Sequence, residues 1–557
     1  MSDLLTGVEA AAGLAVYGAT AVDSGPAASV RQALVAGDVP GLLAAKDPTL
    51  WGPVAEPVAR SRLGWLDTYR SSRELLPQLA ELRGELGDLD NVVVAGMGGS
   101  ALAAEVITRT LGVPLTVLDT TDPHQVRAAM FGTSADPWKR QDRLRRTVVV
   151  LASKSGCTIE VESHRRAYLD AFYDLGLSAA EAGRHFVVVT DPGSPLAAKA
   201  REMGAFVVLA DPEVGGRYAA LTAFGLVPAA LAGVDVAELL DQAELLAPSL
   251  AGGSDNPALA LGAALGAAAT GGRDTIALVS DGSGLEGFGD WAEQLIAEST
   301  GKDGVGLLPV VVEDPQAPGV TGAGVLTVTY GGALPPAAVP GGGVRPHVAV
   351  NGPLGAQFLA WEYAVAIAGR VLGVDPFDEP DVAESKDNTA ALLAGGLPTE
   401  KPTFTESAVQ VYTTGFARDL AEVLRELLAD VGDDGYLAVT AYLDRYDDAA
   451  VHRIRPMLAA VSSRPVTFGW GPRYLHSAGQ YHKGGPQVGA FLQITGAVVG
   501  DLPVPGLPYS FGELQAAQAA GDRRSLDGRG RPVVRLHLSD RNVGVRHLLD
   551  VADSLRP

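Results

Sequence analysis

Asn91-Val92-Val93-Val94-Ala95-Gly96-Met97-Gly98-Gly99-Ser100 is the stretch on which the fold turns. Apolar residues follow Asn91 without alternation, which predicts a strand buried on both faces, as in a parallel sheet covered by helices. The glycine turn then leads into residues 101–111, a segment of helical length and composition. Strand end, glycine turn and helix start make an anion site, because backbone N–H groups converge there and the helix dipole favours negative charge. Taken alone, the same residues also suit a tight turn that binds nothing.

The rhythm continues outward. Val-rich runs at 147–152, 186–190 and 206–209 are separated by longer Ala/Leu segments, which predicts a doubly wound α/β unit over 89–250. A Gly/Ser/Asp/Pro hinge at 252–257 opens a second set of runs at 275–280, 306–312, 325–330 and 347–350, and so a second unit over 256–398. The Gly/Pro-rich stretch 331–346 reads as a loop. A boundary near 395–402 precedes a C-terminal α/β region, 402–557, with runs at 436–441, 465–470, 490–495 and 533–538 and a helix at 512–520. Residues 1–88 lack alternation and read as a helical lead-in, with one helix at 73–86.

Composition bounds the partners. A chain of 557 residues is too long for one core, and 47% hydrophobic with 19% charged residues describes a well-buried globular protein. A net charge of −22 argues against nucleic acid or an anionic membrane. The single cysteine, Cys157, allows no intrachain disulfide and no cysteine zinc site, which suits a reducing cytosol and a cytoplasmic location. The start of the chain lacks the basic region of a signal peptide. Residues 347–374 are apolar but broken by Asn351, Pro353, Gln357, Glu362 and Arg370, so they read as a buried helix with its flanks, not a membrane span.

Three further motifs carry chemistry. Ser153-Lys154-Ser155-Gly156-Cys157-Thr158 puts three hydroxyls and an ammonium at a strand end, which suits the three oxygens of a phosphate monoester. The plainer reading is a Ser/Thr-rich helix cap. Two such loops at successive strand ends of one sheet favour ligand binding, since that is where open parallel sheets hold ligands. Val214-Gly215-Gly216-Arg217-Tyr218 joins close backbone approach to a planar cation, although an arginine alone is more often structural. In the stretch 289–302, helical spacing places Gln294 and Glu298 on one face. Glu298 could then act as a general base, though a lone surface glutamate is the commoner case. A Walker loop is excluded, because Ile296 stands where its first glycine belongs and Asp303 follows Lys302.

Taken together, the motifs Gly-x-Gly-Gly-Ser, Ser-Lys-Ser-Gly-x-Thr, Val-Gly-Gly-Arg-Tyr and Glu-Ser-x-Gly-Lys resemble, in order, those of glucose-6-phosphate isomerases, which are built on paired sugar-isomerase (SIS) domains. A fifth element, Pro376-Phe377-Asp378-Glu379-Pro380 with Lys386 downstream, is similar to that family's Phe-Asp-Gln segment and its lysine. The chain as a whole looks like the actinobacterial type, also found fused to transaldolase. The resemblance implies that Gly99, Ser100, Ser153, Lys154, Ser155, Thr158 and Gly216 line the phosphosugar site with Gln294. It also implies that Arg217 stabilises an enediolate, that Glu298 moves the proton between C2 and C1, and that Lys386 aids ring opening together with a histidine. It implies a homodimer acting on a sugar phosphate with no cofactor and no metal.

This sequence departs from the family in three places. Glu379 stands where the family usually has Gln, and Ser155 replaces a common Thr. The motif Leu475-His476-Ser477-Ala478-Gly479-Gln480 lies after Lys386, whereas shorter relatives carry its counterpart before their lysine. His476 is the expected ring-opening residue, with His482 and His347 as alternatives. Two rival functions remain at this level. A dual glucose/mannose phosphate isomerase would keep every loop, and Gln294 leans against it. A non-catalytic sugar-phosphate sensor would lack the base, and Glu298, Arg217 and Lys386 together speak against that.

Overall fold

The computed structural model describes residues 7–10, 12–18, 25–253, 255–332 and 347–556. Most of the expected loop at 331–346 therefore lies outside the described residues. Strands β1 (Gly7–Glu9) and β2 (Ala15–Tyr17) open the chain and pair with each other antiparallel. The lead-in expected to be helical thus contributes two strands as well as helices such as Gly25–Ala36 and Leu75–Glu85. Three-residue strands are too short to show a periodicity in sequence.

The first main sheet comprises β3 (Asn91–Gly96), β4 (Thr116–Leu118), β5 (Thr147–Ala152), β6 (Phe186–Thr190) and β7 (Phe206–Leu209) in the order β4-β3-β5-β6-β7, all parallel. The second comprises β8 (Thr275–Ser280), β9 (Leu308–Val312), β10 (Val325–Gly331) and β11 (Val348–Asn351) in the order β1-β2-β11-β10-β8-β9. The early strands β1 and β2 extend its edge antiparallel to β11. The third comprises β12 (Phe404–Glu406), β13 (Val409–Tyr412), β14 (Tyr436–Tyr442), β15 (Val466–Trp470), β16 (Gly489–Gly496) and β17 (Val533–Leu538) in the order β12-β13-β17-β16-β14-β15. Helices flank parallel strands in all three, which is the α/β class expected.

Burial explains why the first two sheets were legible. Val93, Val94, Val149, Val150, Val187 and Val188 are all inaccessible to solvent, and alternate ones face different apolar clusters on the two sides of the sheet. One large cluster runs from this sheet to the second, where Ile276, Leu278, Val328 and Val350 continue it. The run at 347–374 contains the helix Leu354–Leu372, inaccessible along most of its length. Among the described residues no helix is long and apolar enough to cross a membrane.

Candidate active site

The helices that matter here are α1 (Leu102–Thr110), α2 (Ile159–Asp174), α3 (Phe288–Thr300), α4 (Leu354–Leu372), α5 (Val382–Gly395) and α6 (Phe511–Gly528). The glycine turn after β3 winds into a short 3-10 turn, Gly98–Ser100, before α1. Gly98 sits at φ +54°, and a Cβ on it would strike the His476 carbonyl oxygen and the Gln294 amide. A Cβ on Gly99 would collide with the Gly216 carbonyl oxygen. Both glycines are therefore required by close approach of three distant chain segments.

Ser153 closes the second loop. Its Oγ lies 2.7 Å from Thr158 Oγ1 and accepts from the Gly156 N–H at 3.1 Å, so the loop is folded on its own hydroxyls at the start of α2. Ser155 and Thr158 face a cavity of about 650 Å³, which also receives Glu160, Lys386, His476 and Gln518. Lys154 does not line it. Its ammonium donates to Asp191 Oδ1 at 2.9 Å and to the Asp211 carbonyl at 3.1 Å, fastening the loop to the segments after β6 and β7. Ser100 is partly exposed at the end of its turn.

Glu298 is buried on α3, one turn beyond Gln294. The Gln294 amide donates to Glu298 Oε2 at 2.9 Å and to the His476 carbonyl at 2.9 Å. Arg217 Nη1 lies 3.7 Å from Glu298 Oε1 and 3.0 Å from Glu379 Oε2. The rest of the Arg217 guanidinium donates to the Pro376 and Asp378 carbonyls, each at 2.8 Å, and to Ser299 Oγ at 3.1 Å. Burial raises Glu298 above the ordinary glutamate value, the Arg217 charge opposes this, and the nearby Glu379 carboxylate adds to the rise. Burial would also raise Glu379, but Arg217, Lys302 and Lys386 hold it below the ordinary value. The departure from glutamine at 379 is thus compensated by neighbouring cations.

Lys302 donates to Asp378 Oδ1 at 2.5 Å and to the Asp378 carbonyl at 2.6 Å. Burial pulls this ammonium down to about 8. Arg217 and Lys302 together pin the turn at 375–379 that leads to α5. Lys386, on α5, is exposed toward the cavity.

The three histidines separate clearly. His476 ends the turn Arg473–His476, faces the cavity, and places Nε2 3.1 Å from Glu160 Oε1. His482 is buried against Tyr436, whose hydroxyl meets its Nδ1 at 3.0 Å, and burial lowers it to about 3. His347 accepts the Thr327 N–H at 3.0 Å beside the second sheet. Only His476 among them lines the cavity.

Two groups escaped sequence reading. Glu160 follows the Ser/Thr loop and looks like an ordinary acid in a first helical turn. It is 3% exposed and also accepts from Gln518 Nε2 at 2.7 Å. Burial works against its charge, yet His476 holds it below the ordinary value. Gln518, far along the chain on α6, carries no local signal at all.

A buried ionic clamp places the His476 turn. Arg473 Nη1 lies 2.7 Å from Glu105 Oε2 and 2.6 Å from Asp119 Oδ2, and its Nη2 lies 3.0 Å from Asp290 Oδ2. Arg445 adds a 3.2 Å contact to Glu105. Burial opposes the Glu105 charge, but the two arginines hold the carboxyl down at about 2.

No family model matches the chain. It is 37% identical over 231 residues to a probable glucose-6-phosphate isomerase of Haloarcula marismortui, covering 40% of this chain and 50% of that one. The chain thus spans about half the length of that relative. It is 31% identical over 391 residues to the glucose-6-phosphate isomerase of Rubrobacter xylanophilus, covering 59% of this chain and 88% of the relative. Among solved structures, a glucose-6-phosphate isomerase from Chlamydia trachomatis superposes with a TM-score of 0.55 at 19% identity, covering 71% of this chain and 93% of that one, a likeness of fold. By the extent of its match to the Rubrobacter enzyme, this chain belongs to the glucose-6-phosphate isomerase family.

Proposed function

We propose that this protein interconverts glucose 6-phosphate and fructose 6-phosphate. The observation that carries the reading is the buried Glu298 carboxylate, oriented by Gln294 at 2.9 Å and facing Arg217 at 3.7 Å. Aldose–ketose isomerisation needs a base for one shuttled proton and a cation where negative charge develops.

The hydroxyls of Ser155 and Thr158, with Ser153, Ser100 and the backbone N–H groups at the starts of α1 and α2, hold the ester phosphate. His476, paired with Glu160, and Lys386 across the cavity transfer the protons that open the ring. Glu298 then takes the proton from C2 and returns it to C1. Arg217 stabilises the cis-enediolate between those steps. Lys154 serves the loop by its bond to Asp191 and leaves the phosphate to the hydroxyls. The C-terminal region that carries His476 thereby becomes part of the site.

Purified protein given fructose 6-phosphate should generate glucose 6-phosphate, read by coupled oxidation of the product. Formation of mannose 6-phosphate at a comparable rate would replace this reading with a dual-specificity one. Binding of fructose 6-phosphate without turnover would replace it with a sensor.

A further inference from the structure

The motif Glu298-Ser299-Thr300-Gly301-Lys302 has the proposed base at one end and a buried cation at the other. The chemistry above uses the first and leaves the second without a task. α3 ends at Thr300. Two residues on, the Lys302 N–H donates to the Val305 carbonyl at 3.1 Å, and its own carbonyl accepts the Val305 N–H at 2.9 Å. The side chain therefore departs from a fixed point just beyond the helix that carries the base, and Lys302 is 2% exposed.

Its ammonium donates to the Asp375 carbonyl, to the Asp378 carbonyl at 2.6 Å and to Asp378 Oδ1 at 2.5 Å. Three acceptors match the three protons of an ammonium. Arg217 Nη2 meets the same Asp378 carbonyl at 2.8 Å, while its Nη1 reaches Glu379 Oε2 at 3.0 Å. Two buried cations thus converge on one carbonyl oxygen. A neutral amide could fasten the turn without the repulsion of like charges and the loss of their hydration. What a neutral donor would not supply is positive charge beside Glu298, whose Oε1 lies 3.7 Å from Arg217 Nη1. The Lys302 charge also acts to lower both Glu298 and Glu379.

We propose that Lys302 is a positioning residue for the isomerisation, holding the turn at 375–379 so that Arg217 stays aimed at the developing enediolate. This inference rests on the isomerase reading and names a residue that acts through Arg217. The charged groups around the ammonium are Arg217, Glu298, Asp375, Asp378 and Glu379. The adjoining helix Gly479–Gly484 presents the uncharged Gln480, which donates to the Gly301 carbonyl at 3.0 Å. Burial and the Arg217 charge pull the ammonium down to about 8, against Asp378 and Asp375. Loss of its proton should therefore loosen the turn as pH rises through that value.

The test is the pH profile of kcat/KM for fructose 6-phosphate in the full-length wild type, Lys302→Met and Asp378→Asn. Wild-type kcat/KM should decline above about pH 8. Lys302→Met should lower kcat at neutral pH at least ~10-fold, leave KM nearly unchanged because the phosphate loops are intact, and abolish the alkaline limb. Asp378→Asn keeps the backbone acceptors but removes the opposing charge, so its limb should move to lower pH. That shift decides the matter should Lys302→Met not fold. A limb that persists in Lys302→Met or stays in place in Asp378→Asn would overturn the proposal, as would a wild-type kcat in Lys302→Met. A wild type with no turnover at any pH would instead remove the isomerase reading, and this role with it.

Discussion

His476 Nε2 and Glu160 Oε1 meet at 3.1 Å across 316 residues of chain. The carboxylate fixes the orientation of the imidazole, and the Gln518 amide at 2.7 Å fixes the carboxylate. Glu160→Gln should therefore lower kcat with glucose 6-phosphate by ~10²-fold, the scale of one acid–base contribution. On the proposed mechanism ring opening is the step affected, so erythrose 4-phosphate, which cannot close a furanose through its esterified O4, should exchange its C2 proton at near wild-type rate in this variant. Equal losses on both substrates would assign Glu160 to general architecture.

Glu298→Gln should bind fructose 6-phosphate almost normally and lose at least ~10²-fold in turnover. A base at Glu298, as proposed, works ionised, and burial raises it, so in the wild type activity should fall on the acid side at a pH above the ordinary glutamate value of 4.5. Glu379 contributes to that rise. In Glu379→Gln the acid limb of kcat/KM should move to lower pH, and a limb that stays in place would separate Glu379 from the base.

Ser153→Ala combined with Thr158→Ala removes the 2.7 Å hydroxyl pair and the acceptor for the Gly156 N–H. KM should rise far more than kcat falls, since the phosphate is remote from the reacting carbons. A change in solubility with unaltered KM would make the pair a helix cap alone.

Much of this was readable in advance, for a physical reason. Strands such as β3 and β5 are buried on both faces, and continuous valine is the visible result. The edge strands β4 and β12, and β13 beside the latter, are short or half polar, and they left no such trace. In the site, Glu298 and Arg217 sat in recognisable local motifs. Glu160 and Gln518 did not, because their meaning comes from partners hundreds of residues away. The sequence showed the His476 motif out of its usual order, and only the packing of its turn against Gly98 and Gln294 shows that it reaches the cavity.

Arg473→Met would leave Glu105, Asp119 and Asp290 without their shared cation. Removing one partner of a buried ionic pair typically costs about 3–5 kcal/mol, readable by urea unfolding at neutral pH. Glu105 is held at about 2, below its ordinary 4.5. Its stabilisation is thus present above pH 4.5 and is lost as pH falls toward 2. The variant should unfold at a higher pH in acid titration and lose turnover as the His476 turn shifts. Unchanged acid unfolding would refute the clamp.

Glu362, on α4, is inaccessible to solvent, and among the described residues its carboxyl is opposed by little more than the Ala220 backbone N–H. Burial raises it well above 4.5, so the folded chain keeps a proton that the unfolded chain releases. The associated stability is complete below pH 4.5 and declines as pH climbs from there. Glu362→Gln should raise Tm at pH 8 and leave it unaltered at pH 4, as differential scanning calorimetry would report.

The constellation at His476, Glu160 and Gln518 also has a kinetic consequence. Its hydrogen bonds close loops of 316 and 358 residues, and contacts of such separation form only after the intervening chain has lost its conformational freedom. Secondary structure and the separate sheets can consolidate from nearer neighbours first. Competence for catalysis should therefore emerge last in refolding, lagging behind the recovery of helical circular dichroism.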